Sequence, residues 1–383
     1  MLEKIKKLRK ELHQNPELSG HEMETAKRIR NFIVSNHNTE IIDNLGGNGL
    51  AAIYSFSDNG PVIMIRCELD ALPIEETNLI EYRSKVKNVS HKCGHDGHMA
   101  IVAGLIFWIK EQQFKQGKII LLFQPAEETG VGAHNILNDP EFKKYVPDYI
   151  FALHNIPGEP LNSIIMVEDN FSSTVQSISV KLTGKESHAA EPEKGINPSL
   201  AIAEIIKKFF LLNVLNVGSE EFSILTPVHL SMGKKAYGTS AGSGEIHYTL
   251  RTWTEKSMKK LKVELNEVLV NICRDHRLQF ESEWFDYFPT AVNDSYCNEI
   301  IRKTAKKNNY ELIEKPTPFR FGEDFGWFSQ NYKTAMFGIG AGKGSPALHH
   351  ADYDFPDEII DTGINMFTGI IELILNKQMY IEK

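Results

Sequence analysis

Three histidines, a cysteine and an aspartate crowd the stretch "HKCGHDGHMA" at positions 91–100. A Cys-x-His pair such as Cys93 and His95 is common by chance, so its surroundings decide whether it ligates metal. Here the pair lies just before a helix that starts near Asp96, after a strand-and-loop region. Open α/β sheets gather their binding groups at that address. The plainer reading is a satisfied histidine at a helix start, with Asp96 as N-cap. Three further motifs share the address. "QPAEETG" sets Glu127 and Glu128 side by side after a strand ending near Gln124. "ALHN" closes the next apolar run on His154. "LHHADYDFPDE" offers His349 or His350 late in the chain. A thiolate, imidazoles and carboxylates at one rim of one sheet suit Zn²⁺, Mn²⁺, Co²⁺ or Ni²⁺. Two ions need more ligands than one, and a thiolate or carboxylate can bridge them. A spare glutamate is then left for proton transfer.

The elements that must carry these residues follow from apolar spacing. Ile5, Leu8 and Leu12 recur at helical intervals, as do Ala26, Ile29 and Ile33, and "NPELSG" breaks the run between them. The runs at 50–56, 62–69, 118–125 and 149–155 are short and apolar on both faces. Alternating with helices, they predict an α/β catalytic domain with a mixed, mainly parallel sheet covered by helices. Near position 176 the texture changes: "VQSISVKLTG" alternates apolar and polar residues, as a strand with one wet face does. A β-α-β-β-α-β order follows to about 290, which predicts an inserted ferredoxin-like α+β domain. The expected organisation is residues 1–175 and 291–383 for the metal-binding catalytic domain, and 176–290 for a lid and dimerisation domain.

Composition narrows the function classes. A chain of 383 residues exceeds one simple core. The net charge of −8, with no dense Lys/Arg block, argues against a nucleic-acid surface. The most apolar run, Met99 to Ile109, is too short to span a bilayer, so no membrane partner is expected. Met1 leads into charged, amphipathic sequence instead of an export signal, and four cysteines lie far apart. Both features point to the cytoplasm and against a disulfide framework. No G-x-G-x-x-G follows the first strand, which sets aside a nucleotide-dependent oxidoreductase.

Eight stretches in order, "ELHQNPELSGHE", "RCELDALPIEETN", "HKCGHDGHMA", "QPAEETGVGA", "ALHN", "SHAAEPEKGINP", "GEDFGWF" and "LHHADYDFPDE", resemble the signatures of the metal-dependent N-acyl-amino-acid amidohydrolases. That group includes hippurate hydrolase, N-acetyldiaminopimelate deacetylase and the plant auxin-conjugate hydrolases, within the aminoacylase and glutamate-carboxypeptidase superfamily. The resemblance implies two divalent metal ions per subunit. Cys93 would be shared between them, with His95, Glu128, His154 and His349 as further ligands. It implies Glu127 as general base and acid, and Asp70 as the carboxylate that orients a metal ligand from behind. His188 would reach the substrate carbonyl oxygen from the inserted domain, and Arg251 would take the substrate carboxylate. The implied reaction is hydrolysis of the amide bond of N-acyl amino acids, in a homodimer formed through the inserted domain. A dipeptidase or carboxypeptidase on the same site is an alternative; a non-catalytic metal-binding scaffold is the alternative from another class. Two stretches depart from the family pattern: "RCELD" stands where relatives read Arg-Ala-Asp-Met-Asp, and "GTSA" (238–241) replaces an Asn-x-Ile-Pro.

Overall fold

The apolar runs become strands because helices cover both of their faces. In the computed structural model, which describes residues 1–376, β1 (Glu40–Leu45), β2 (Gly49–Ser55), β3 (Val62–Glu68), β4 (Lys118–Gln124), β5 (Tyr149–Ile156), β6 (Ile164–Val167), β13 (Leu312–Lys315) and β14 (Lys333–Gly340) form one sheet. Its order is β1-β2-β4-β3-β5-β14-β6-β13. The central run β4-β3-β5-β14 is parallel, and β6 and β13 also pair parallel. The contacts β1-β2, β2-β4 and β14-β6 are antiparallel. Around this sheet lie α1 (Leu2–Gln14), α2 (Met23–Asn36), α3 (His95–Gly104), α4 (Ile106–Ile109), α5 (Gly132–Asn138), α8 (Ser295–Lys307), α9 (Gly326–Ser329) and α10 (Ile359–Leu375). Helix α1 buries Ile5, Leu8 and Leu12, and α2 buries Ile29 and Ile33, as their spacing predicts.

Helix α3 is buried along its whole length and packs on β3, with α1 and α10 against it. The apolar run 99–109 is helical but interrupted at Leu105, where α3 ends and α4 begins. Alternation along β3 sends Ile63, Ile65 and Cys67 into the helix-packed core. Arg66 therefore projects from the opposite face, and it meets Gln124 of β4.

Contacts divide the chain into two units. One comprises Met1–Phe171, Ala291–Pro316 and Glu323–Lys383, the other Ser172–Thr290 and Thr317–Gly322. The second unit holds β7 (Thr174–Thr183), β8 (Ser187–His188), α6 (Ser199–Leu211), β9 (Ser223–Met232), β10 (Thr239–Ser240), β11 (Ser243–Thr252), α7 (Glu255–Asp275) and β12 (Gln279–Phe288). Its antiparallel sheet has the order β12-β7-β11-β9. With α6 between β7 and β9 and α7 between β11 and β12, this is the ferredoxin-like arrangement. Ile246, Tyr248 and Leu250 of β11 face the core formed with α6 and α7, while the residues between them are half-buried. The first half of β7 is buried on both faces instead of alternating. Residues 317–322 return there: the Ser173 N–H donates to the Phe321 carbonyl and Ser173 Oγ to the Phe319 carbonyl. Among the described residues, no helix is long and apolar enough to cross a membrane.

Candidate metal and catalytic site

The first unit brings seven of the nine candidate residues to the carboxyl ends of neighbouring parallel strands. Asp70 follows β3, Glu127 and Glu128 follow β4, and His154 lies near the end of β5. Cys93 and His95 flank Gly94, the residue before α3. Gly94 has φ 97°, and a side chain there would lie 2.6 Å from the amide of Asn155. The turn between the two donors therefore requires glycine. His349 lies between β14 and α10; its N–H donates to the Lys92 carbonyl at 2.8 Å.

His95 is held from behind. Its Nδ1 donates to the Asp70 backbone carbonyl at 2.9 Å, and the Asp70 carboxylate stands 3.5 Å away. That carboxylate accepts from Ser19 Oγ at 2.7 Å and from the Glu128 N–H at 2.9 Å. Burial works against charge on Asp70, but these partners outweigh it and hold its pKa below the usual value. The opposite nitrogen, His95 Nε2, is buried and has no hydrogen-bond partner. It faces Glu127 Oε2 and Glu128 Oε1, each 3.9 Å away. Glu128 Oε1 is likewise buried without a hydrogen-bond partner and stands 3.8 Å from His349 Nε2. His154 donates from Nδ1 to the Asn155 carbonyl at 2.9 Å, so its Nε2 presents a lone pair, 3.5 Å from Cys93 Sγ.

This geometry fits a divalent-ion centre. The ligand atoms of Cys93, His95 and His154 lie within 4.8 Å of one another, as do those of Cys93, Glu128 and His349 and those of His95, Glu127 and Glu128. Cys93 belongs to two of these groups. Burial and mutual repulsion shift the titration of these groups. Burial, then the nearby Glu128 and Glu127, pushes the Cys93 thiol well up. Burial lifts Glu128 to about 7, against the pull of His95. Glu127 is raised well above the carboxylate range by burial and then by Glu323, Glu128 and Asp324. His95 reaches about 10 because Asp70 and the neighbouring carboxylates overcome its burial. Metal binding exchanges protons of this kind for metal charge.

Two further donor groups are already satisfied. His98, one helical turn beyond His95, meets Glu68 Oε2 at 2.7 Å through Nδ1 and Asn155 Oδ1 at 2.6 Å through Nε2. Arg66 bonds Glu68, Glu323 (2.9 Å) and Asp324 (2.8 Å). Glu68 is a residue at which "RCELD" departs from the family pattern it resembles. Its bonds to Arg66 and His98 give the departure at "RCELD" a structural use. Asp96 does not cap α3; its carboxylate accepts from His13 Nδ1 at 2.8 Å and from Arg9 at 3.2 Å. None of these partners follows from local spacing. The motifs "ELHQNPE", "RCELD", "ALHN" and "GEDF" hold His13, Arg66, Glu68, Asn155, Glu323 and Asp324; Arg9 lies outside them.

His188 and Arg251 lie in the second unit. His188 is exposed on β8 and accepts the Ala190 N–H at Nδ1, 3.0 Å, which places its ring proton on Nε2. It pairs with Thr239, so the divergent "GTSA" stretch lies beside it. Arg251 on β11 donates from Nη1 to the Arg320 carbonyl at 2.7 Å, and its partial burial lowers its pKa.

Residues 64–373 match the model of peptidase family M20/M25/M40, and the chain belongs to that family. It is a metallo-hydrolase of amide or peptide bonds. Among its relatives is an N-acetyl-L-cysteine deacetylase of Bacillus subtilis, 30% identical over 92% of this chain and 84% of the relative. A second protein of that organism, an N-acetylcysteine deacetylase, is 27% identical over 96% of each chain. The crystal structure of Bacillus subtilis YxeP, described as a dinuclear metal-binding peptidase of the M20 family, superposes with a TM-score of 0.83. It is 26% identical, with 98% of each chain covered.

Proposed function

We propose that this enzyme hydrolyses the amide bond of small N-acyl amino acids, N-acetyl derivatives foremost. Two divalent ions, drawn from Zn²⁺, Mn²⁺, Co²⁺ and Ni²⁺, would be held by Cys93, His95, Glu128, His154 and His349, with Cys93 common to both. The observation that carries this reading is the open, buried face of His95: an unpartnered Nε2 set equally far from two glutamates. The deacetylase relatives support the substrate class, and the dinuclear neighbour supports the ion count. Bound there, the ions supply Lewis-acid activation of water and of the amide carbonyl.

The remaining chemistry belongs to the protein. Glu127 is the general base: it takes a proton from the attacking water and delivers it to the departing amine nitrogen. Asp70 keeps the His95 ring in one tautomer and orientation. The Nε2 proton of His188 is a donor for the developing oxyanion, and Arg251 is a cation for the substrate carboxylate. A homodimer through the second unit is supported by β9. It is a sheet edge along which Val228, Leu230 and Met232 are exposed, and such an edge invites pairing with a second copy. Four buried free cysteines accord with a cytoplasmic location.

The test is amine release from a panel of N-acetyl, N-benzoyl and N-succinyl amino acids and dipeptides, with Mn²⁺, Zn²⁺ or Co²⁺ supplied. Turnover of N-acetyl amino acids above dipeptides is expected. Two bound ions with no turnover on any member would favour a scaffold.

A further inference from the structure

The motif "GEDFGWF" has no role in the chemistry above, yet its aspartate is fully buried beside the glutamate pair. Gln124 Nε2 donates to both oxygens of the Asp324 carboxylate, at 2.7 and 2.8 Å. The Ala133 N–H donates to Oδ2 at 2.8 Å, and Arg66 donates to Oδ1 at 2.8 Å. Gln124 is the last residue of β4, and Ala133 is the second residue of α5. The segment between them, 125–132, carries Glu127 and Glu128. One carboxylate thus ties both ends of the loop that bears the pair.

The loop is built to be held this way. A side chain at Gly132 would lie 1.8 Å from the Pro125 carbonyl oxygen, so the two ends can meet only around a glycine. Ala126 has φ 53°, a left-handed conformation that its surroundings must enforce. Inside the loop, the Gly130 N–H donates to the Glu127 carbonyl at 2.8 Å, and the Gly132 N–H to the Ala126 carbonyl at 3.1 Å. Trp327, three residues past Asp324, donates from its indole nitrogen to the Gly130 carbonyl at 3.2 Å. The Asp324 backbone N–H points at Glu127 Oε1 from 3.4 Å.

We propose that Asp324 is the positioning residue of the Glu127–Glu128 loop: it sets where the proton-transfer carboxylate stands without touching substrate. This rests on the role proposed for Glu127. Only a carboxylate offers two acceptor oxygens to these three donors. An asparagine would turn an NH₂ group against Gln124 in either orientation, and against Arg66 or Ala133 as well.

The test is Asp324→Asn alone and combined with Glu127→Gln. For the single variant we expect kcat to fall at least about tenfold with KM within about threefold, the signature of a transition-state effect. Hydrogen exchange should quicken at the Gly130 and Gly132 amides and stay unchanged along β14. Because Asp324 acts through Glu127, the double variant should be no slower than Glu127→Gln by more than about threefold. Wild-type kcat in folded Asp324→Asn, or a fully multiplicative loss in the double variant, would overturn the proposal. If Asp324→Asn does not fold, Gln124→Met cuts one tie at equal volume. A smaller kcat loss with quickened loop exchange supports the proposal, and no change in either overturns it. Undiminished turnover in Glu127→Gln would instead overturn the proposed function itself.

Discussion

His95 and His98 sit three residues apart on one helix, both buried, both beside carboxylates. They differ in what their outer nitrogens meet. His98 is closed, with Glu68 on one side and Asn155 on the other. His95 is closed only from behind, and its Nε2 looks into a space flanked by two glutamates. The same contrast separates the Arg66 cluster, where a guanidinium bonds three carboxylates, from the Cys93 cluster, where, among the described residues, cysteine, histidine and glutamate donor atoms converge with no cationic side chain between them. A buried polar group that is fully bonded is architecture. One whose partner atom is lacking while others converge on it has a ligand to find.

The largest effect should come from breaking the closed region. Arg66→Met would leave Glu68, Glu323 and Asp324 buried without their shared cation. A loss of about 3–5 kcal/mol is expected in urea unfolding with chelator present. An unchanged midpoint would mean the cluster does not hold this unit together.

The histidine pair sharpens the comparison. His95→Ala should abolish metal binding in at least one position; in chelator it leaves only the Asp70 side without a partner, so its stability loss should be smaller than that of His98→Ala. His98→Ala should do the reverse. It should retain metal and lose about 1–3 kcal/mol, because Glu68 and Asn155 lose a buried partner. Metal analysis and unfolding of both variants check it; equal metal loss in the two would erase the distinction.

An effect of comparable size, confined to alkaline pH, should appear at His13. His13 is closed between Asp96 and Glu76. Burial opposes its charge, yet those two partners raise its pKa to about 9. A histidine raised from 6.5 contributes stability that is complete below 6.5 and lost as pH rises through 9. Its magnitude is on the order of 3 kcal/mol. His13→Gln should flatten that alkaline limb of the unfolding free energy. An unaltered slope between pH 6.5 and 9 would contradict the charge assignment.

Much of this was legible in the sequence for a physical reason. Helical spacing located α1 and α2, continuous apolar runs located β2 to β5, and alternation opened the β-α-β-β-α-β unit, each to within a few residues. Short edge elements carried little pattern: β13 is the four-residue "LIEK", half of it exposed and none of it buried. The strand ends holding Asp70, Glu127, Glu128 and His154 could be inferred from the runs before them. The partners of Arg66 could not. Glu323 and Asp324 lie 257 and 258 positions away, and no local period encodes such a pairing. The same holds for Asp96, whose place at a helix start suggested a cap. Arg9 and His13, more than 80 residues earlier, draw it elsewhere.

The central claim is that two adjacent glutamates, alike in sequence, divide the work: Glu128 holds metal and Glu127 moves a proton. Metal content measured beside steady-state turnover of an N-acetyl amino acid, in Glu127→Gln and Glu128→Gln, tests it most directly. Glu127→Gln should keep both ions and lose turnover by about 10²–10⁴, because an amide fills the space but cannot accept the proton. Glu128→Gln should lose metal, and activity with it. Loss of metal in Glu127→Gln with retention in Glu128→Gln would reverse the two roles. Retention of metal and turnover in both would contradict the account.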